Sequence, residues 1–203
     1  MKQLKALILR HGDTSLNASN CYRGWTDIPL NSKGKAQAVV AANFLSKYPI
    51  KTILCSPLLR AFLTASIVAA KHDVEVTQTR GLLPWNVGFF SGHNRDEHED
   101  ALRLFVESPD VVVPGGESLT AFENRSYAFF EHYLNNSEGL VLFVGHTSNV
   151  TALVNATEGA NKVEPEFGDS VQPGGVAAIY FDGKNHTVET ILGKPEEAVF
   201  GAS

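Results

Sequence analysis

The stretch Lys5-Ala6-Leu7-Ile8-Leu9-Arg10-His11-Gly12-Asp13-Thr14 decides how the rest of the chain is read. Its first half, Lys5 to Leu9, has the length and apolar content of a short buried strand. An arginine, a histidine and a glycine follow at once. Open α/β sheets gather their ligand groups at this kind of strand end. Arg10 offers a planar, permanently charged fork suited to phosphate oxygens. His11 offers an imidazole that can act as base, acid or nucleophile near neutral pH. Gly12 permits a sharp turn and a close approach to a ligand, and Asn17 could add an amide donor. Taken alone, the triplet is equally consistent with a histidine that only braces a loop.

The same pattern returns twice further on. Thr52-Ile53-Leu54-Cys55 reads as a second strand, followed by Ser56-Pro57, which predicts a helix with Ser56 at N-cap and Pro57 at N1. Arg60 falls in that helix's first turn, where a basic side chain opposes the dipole unless an anion is near. Leu140-Val141-Leu142-Phe143-Val144 is the clearest buried strand, and it runs into Gly145-His146-Thr147, with a helix starting near Ser148. Arg10, His11, Arg60 and His146 therefore all sit at strand C-termini, which share one edge of a parallel sheet.

Between these anchors, Tyr22 to Leu30 is an irregular loop in which Arg23, beside Gly24, could contact a substrate or simply face solvent. Ser32 predicts an N-cap, and Ala36, Val40 and Phe44 a helical face running to about Tyr48. Asp73 to Thr77 is a weak third strand. Gly81 to Gly92 is a shaped loop whose aromatics could wall a pocket or pack beneath it. His93 to Asp100 mixes histidines and carboxylates, but its spacing is not His-Glu-x-x-His. An acidic first helical turn fits it better than a metal site. Ser118 predicts the cap of a helix bearing Leu119, Phe122, Phe129, Phe130 and Tyr133. Glu117, just before it, could be a catalytic carboxylate, an orienting group for an arginine, or part of the cap. Gly175 to Phe181 and Thr187 to Leu192, joined through Asp182-Gly183, read as an antiparallel hairpin.

Three alternating strand–helix units predict an α/β fold. It is a three-layer αβα sandwich over a mainly parallel central sheet, with an antiparallel strand near the C-terminus. At 203 residues and 43% hydrophobic content, a single domain spanning 1–203 is the natural expectation. A formal charge of -5 argues against general nucleic-acid binding. The first apolar run is broken by Arg10, so neither a signal peptide nor a membrane span is expected. Cys21 and Cys55 form no metal-ligand pattern, which suits a cytoplasmic chain with reduced thiols. P-loop, nucleophile-elbow and dinucleotide fingerprints are absent from the sequence. Two guanidinium forks, two imidazoles and a helix N-terminus describe a phosphate pocket in which His11 attacks phosphorus in line.

These blocks, in this order, resemble the histidine phosphatase superfamily, in the branch containing cofactor-dependent phosphoglycerate mutase. Arg10-His11-Gly12-Asp13-Thr14 with Asn17 looks like the family's opening motif. Arg23-Gly24-Trp25-Thr26-Asp27-Ile28-Pro29-Leu30-Asn31 with Gly34, Gln37 and Ala38 is similar to its next block. Ser56-Pro57-Leu58-Leu59-Arg60-Ala61 with Thr64-Ala65 resembles the second-arginine block. Pro114-Gly115-Gly116-Glu117-Ser118 with Arg125, and Val144-Gly145-His146, complete the match. The resemblance implies a transient phosphohistidine on His11. It implies that Arg10, Arg60 and His146 hold the phosphoryl group, with Asn17, Arg23, Gly24 and Thr147 near a phosphorylated small-molecule substrate. It implies no metal and no organic cofactor.

The sequence departs from the family at one telling place. Pro84 stands where the family's proton-donating glutamate is expected, and Ser91 where a second family glutamate lies. The lysine and paired arginines that a mutase uses for a second phosphate are also missing. The expectation is therefore a phosphatase hydrolysing a phosphate monoester rather than a mutase. Asp13 and Glu117 are candidate general acids, followed by Asp96 and Glu97. The alternative is a non-catalytic or nearly inactive phospho-ligand-binding relative. A metal-dependent hydrolase built on His93 and His98 is the third reading. The loop from Leu82 to His98 and the segment Val171-Gln172-Pro173-Gly174 are expected to shape specificity.

Overall fold

In the computed structural model, which describes residues 2–158 and 171–195, the first strand, β1 (Gln3–Arg10), lies in the middle of a six-stranded sheet. It is joined there by β2 (Ile50–Cys55), β3 (Val76–Gln78), β4 (Leu140–Gly145), β5 (Val176–Phe181) and β6 (His186–Leu192), in the order β3-β2-β4-β1-β5-β6. The β1–β4, β2–β4 and β2–β3 pairings are parallel; β5 runs antiparallel to both neighbours, β1 and β6. A single reversed strand thus sits in an otherwise parallel sheet, as expected of a crossover fold closed by a hairpin.

Alternate residues of the strands feed opposite faces. Leu7, Leu9, Ile53, Leu142 and Ala178 pack with Ala41, Ala42 and Leu45 of α2 (Ser32–Leu45) and Ala65 and Val68 of α3 (Leu59–Ala69). Ala6, Ile8, Leu54, Phe143 and Ile179 pack with Phe130 of α5 (Leu119–Asn136) and Val150 and Leu153 of α6 (Thr147–Glu158). The three layers follow from these two clusters. A third cluster, with Tyr22, Trp85, Val87, Phe90, Leu102 and Phe122, fills the excursion that carries α4 (Arg95–Glu107).

Local details depart from the sequence reading, each for a physical reason. Asn31, not Ser32, caps α2, because its side chain accepts from the Gly34 N–H at 2.7 Å. The buried face of α2 is Gly34, Gln37, Ala38, Ala41, Ala42 and Leu45, while Ala36 is exposed. Small residues carry that face and let the helix lie close to the strand-end loop: a Cβ at Gly34 would collide with the Asp13 backbone, and one at Gly12 with that of Gly34. The helix ends at Leu45 rather than Tyr48, four residues before Pro49.

The α3 helix starts two residues later than expected. Leu58 is its N-cap and supplies no side-chain hydrogen bond. Asp27, from the loop after the first motif, accepts from the Leu59 N–H at 2.6 Å instead. Strand β3 is displaced to Val76–Gln78. The loop aromatics Trp85 and Phe90 are buried in the third cluster, not arrayed around a cavity, whereas Phe89 is exposed. Ser118 caps α5 through the Ala121 N–H at 3.2 Å, and the hairpin forms as expected, with Asp182 Oδ1 accepting from the Lys184 and Asn185 amides. Among the described residues, no helix is long and apolar enough to cross a membrane.

Candidate active site

The parallel register puts Leu9 beside Val144 and Arg10 beside Gly145. The next bond along, from the His11 N–H to the Gly145 carbonyl at 2.9 Å, brings the chain ends together, and the Ser56 N–H reaches the Val144 carbonyl at 3.0 Å. Three strand ends thereby converge. The His11 and His146 rings meet edge to face with centroids 5.1 Å apart.

His11 Nδ1 lies 2.7 Å from the Gly12 carbonyl. A carbonyl only accepts, so Nδ1 carries the proton and Nε2 keeps its lone pair. Burial, followed by the positive charges of Arg60, Arg23 and Arg10, holds the His11 pKa well below its ordinary value. The ring is neutral and nucleophilic at pH 7. Burial acts first on His146 as well, followed by Arg60, His11, Arg23 and Arg10, in the same direction. Both ring nitrogens of His146 and the Thr147 hydroxyl are buried without a hydrogen-bond partner among the described residues. Unpaired buried polar atoms are costly, and these three belong to two residues that line one hollow, which marks a place built for a polar ligand.

That hollow is lined by His11, Arg23, Gly24, Arg60, Pro84, His146 and Thr147. Arg60 is 1% exposed; its two terminal nitrogens donate to the Thr26 and Gly24 carbonyls at 2.7 and 2.9 Å, which fixes the guanidinium plane. Gly24 has φ +44°, and a Cβ there would meet the Ser91 hydroxyl, so the Arg23–Gly24 turn requires glycine. His146 is held by its own N–H, which donates to Asn149 Oδ1 at 3.0 Å.

The remaining sequence candidates are placed differently. Arg10 is buried beside the hollow rather than lining it; one terminal nitrogen donates to the Val171 carbonyl at 2.7 Å. The Val171 segment thus acts on the site through Arg10. Asn17 lies inside the short α1 helix (Ser15–Ala18) and completes the capping box of its N-cap Thr14, its side-chain oxygen accepting from the Thr14 amide and hydroxyl, and it does not line the hollow.

Of the carboxylates, Glu117 is paired with Arg125 at 2.7 and 3.0 Å and also accepts from the Asn86 N–H at 2.9 Å. Arg125 in turn donates to the Leu83 and Pro84 carbonyls at 3.0 and 2.8 Å. Glu117 orients an arginine that fixes the Pro84 loop, which is the second of the roles open to it in the sequence. Asp13 accepts from Asn31 at 3.0 Å, and Asp96 from Asn20 at 3.0 Å. Asp96 and Glu97 are the acidic first turn of α4. His93 and His98 pack with Phe89, and no group of three or more His, Cys, Asp or Glu side chains among the described residues is arranged to hold a metal ion.

Sequence comparison agrees with this geometry. Residues 6–191 match the profile of the histidine phosphatase superfamily (branch 1). The chain belongs to that superfamily. It is 30% identical over 171 residues to a 2,3-bisphosphoglycerate-dependent phosphoglycerate mutase of Bartonella henselae, covering 78% of this chain and 83% of the relative. It is 31% identical over 164 residues to phosphoserine phosphatase 1 of Hydrogenobacter thermophilus, covering 78% of each. The crystal structure of phosphoglycerate mutase from Bacillus anthracis shares the fold, with a TM-score of 0.78 at 23% identity over 98% of this chain and 96% of that one. Membership in the histidine phosphatase superfamily supports phosphatase- or mutase-type catalysis through a phosphohistidine.

Proposed function

We propose that this histidine phosphatase relative is a phosphomonoesterase acting on a phosphorylated small molecule, with His11 as nucleophile. One observation carries the reading: a single small hollow is lined by two neutral imidazoles and two guanidinium groups, with unpartnered polar atoms at its wall. His11 Nε2 attacks phosphorus. Arg60, Arg23 and His146 stabilise the equatorial oxygens as charge spreads over them, and the Thr147 hydroxyl adds a donor. Arg10 acts from beside the hollow by its charge, and the chemistry needs no metal or organic cofactor. The composition favours a cytoplasmic setting without nucleic-acid partners.

Hydrolysis is favoured over mutase chemistry by Pro84. A mutase must return its phosphoryl group to a bound hydroxyl, a step that calls for proton transfer and for grip on a second phosphate. Pro84 supplies neither, although it occupies the wall of the hollow. The relatives named as mutases make the second reading concrete, and one assay separates the two. A panel of phosphate esters is tested on the wild type and on His11→Ala, alongside 3-phosphoglycerate with its bisphosphate primer. Release of inorganic phosphate that His11→Ala loses supports the proposal. Isomerisation without net phosphate release contradicts hydrolysis, and binding without turnover of any ester supports a non-catalytic phospho-ligand binder.

A further inference from the structure

The residues lining the hollow limit which phosphate compounds this site can open. Phosphoryl transfer to His11 forms a bond from Nε2 to phosphorus and breaks the bond from phosphorus to the leaving oxygen, whose electron pair departs with it. An alkoxide leaving in this way needs a proton as it goes, because its conjugate acid is about as weak as water. A general acid that supplies this proton contributes about a hundred- to ten-thousand-fold.

Among the described residues, the groups lining the hollow do not release protons at neutral pH. His11 and His146 are neutral, Arg23 and Arg60 keep their protons, and Thr147 is an alcohol. Pro84 has no ionisable group, and its position is set by two bonds to its carbonyl, from Trp25 Nε1 at 2.9 Å and from Arg125 at 2.8 Å. Among the described residues, three carboxylates near the site are engaged as acceptors: Asp13 with Asn31, Asp27 with the Leu59 amide, and Glu117 with Arg125 and the Asn86 amide.

We infer that the site takes activated phosphoryl donors, whose leaving oxygen departs as an anion without being protonated, in preference to phosphate esters of simple alcohols. The chemical class covers aryl and enol phosphates, acyl phosphates and phosphoanhydrides. Phenols, near 10 as in tyrosine, already leave far more readily than alcohols. In the second step, water attacks the phosphohistidine. The P–N bond breaks with its electrons returning to Nε2, and the proton of the water leaves with the inorganic phosphate. The inference rests on the phosphohistidine reading and narrows its substrates.

The test is a leaving-group series on the wild-type chain: 4-nitrophenyl, phenyl and simple alkyl phosphates, with acetyl phosphate and pyrophosphate as arms for the acyl and anhydride sources. The expected result is a steep fall in kcat/KM with leaving-group basicity, amounting to about a hundred- to ten-thousand-fold between the nitrophenyl and alkyl esters. Pro84→Glu, checked for an unchanged unfolding temperature, should flatten the series by raising the alkyl ester selectively. Wild-type turnover of alkyl esters within about tenfold of the nitrophenyl ester overturns the inference, since an acid must then be acting. Nitrophenyl turnover that survives in His11→Ala overturns the phosphohistidine reading instead, so the two failures are distinct.

Discussion

His11 and His146 are brought together by one backbone bond: the His11 N–H donates to the carbonyl of Gly145, and the two rings meet 5.1 Å apart. One residue follows the first strand of the chain and the other follows its fourth. Their meeting is a property of the β1–β4 register, so the site is as rigid as the sheet's centre. A rigid centre suits a reaction in which most of the catalysis is positioning and charge stabilisation.

Arg60 is the buried cation whose plane is fixed by two carbonyls. Arg60→Ala should lower kcat/KM by about a hundred- to a thousand-fold, the usual cost of losing one transition-state donor. Arg60→Lys should restore little, because a point charge cannot replace a planar fork held by the Thr26 and Gly24 carbonyls. Steady-state kinetics on a nitrophenyl ester measure both.

The pH response follows from the two imidazoles. Their pKa values lie below the ordinary 6.5, so the folded state binds fewer protons here than the unfolded chain. Stability is therefore independent of these groups above about pH 6.5 and falls as pH drops below it. Activity, which needs neutral His11, should persist to pH values below 6.5 and fail only on further acidification. Urea unfolding and kcat/KM measured across pH 4–8 test the two limbs; an activity loss centred near 6.5 or above would contradict the account.

The Glu117–Arg125 pair holds the Pro84 loop through its carbonyls. Glu117→Gln should destabilise the fold by about 1–3 kcal/mol, the range for losing hydrogen bonds to a charged group. A double-mutant cycle with Arg125→Met should show clear coupling. If Glu117 were the proton donor, Glu117→Gln would instead steepen the leaving-group dependence without loss of stability.

The sheet's ligand edge could be read from the chain because each strand there is a short apolar run ending in a chemically distinctive residue: Arg10-His11, then Ser56-Pro57 before Arg60, then Gly145-His146. The hairpin was equally legible from Asp182-Gly183. What could not be read came from distant parts of the chain. Asp27 caps α3 from 32 residues before Leu59, and the Val171 carbonyl holds Arg10 from 161 residues away. The buried face of α2 escaped hydrophobic periodicity because Gly34, Ala38, Ala41 and Ala42 are small rather than strongly apolar. Gln37 lies on that face because its amide oxygen accepts from the Asp13 N–H at 2.8 Å. In the same way, Trp85 and Phe90 went to the third core cluster, leaving Pro84 as the loop's contribution to the hollow.

Gly34 marks how tightly α2 is pressed onto the loop after His11. Gly34→Ala sets a methyl group against the Asp13 backbone and should cost about 1–3 kcal/mol. Activity should fall with it, since the same loop carries His11 and Gly12. Thermal unfolding and kinetics on one preparation check both.

The most direct measurement is to trap the covalent intermediate. The protein is mixed with 4-nitrophenyl phosphate, quenched in alkali, and mapped by mass spectrometry. The account predicts one added phosphoryl group, stable in base and labile in acid, on His11 alone, and absent from His11→Ala. A phosphoryl group on another residue, or turnover with no such adduct in a His11→Ala protein as active as the wild type, would contradict it.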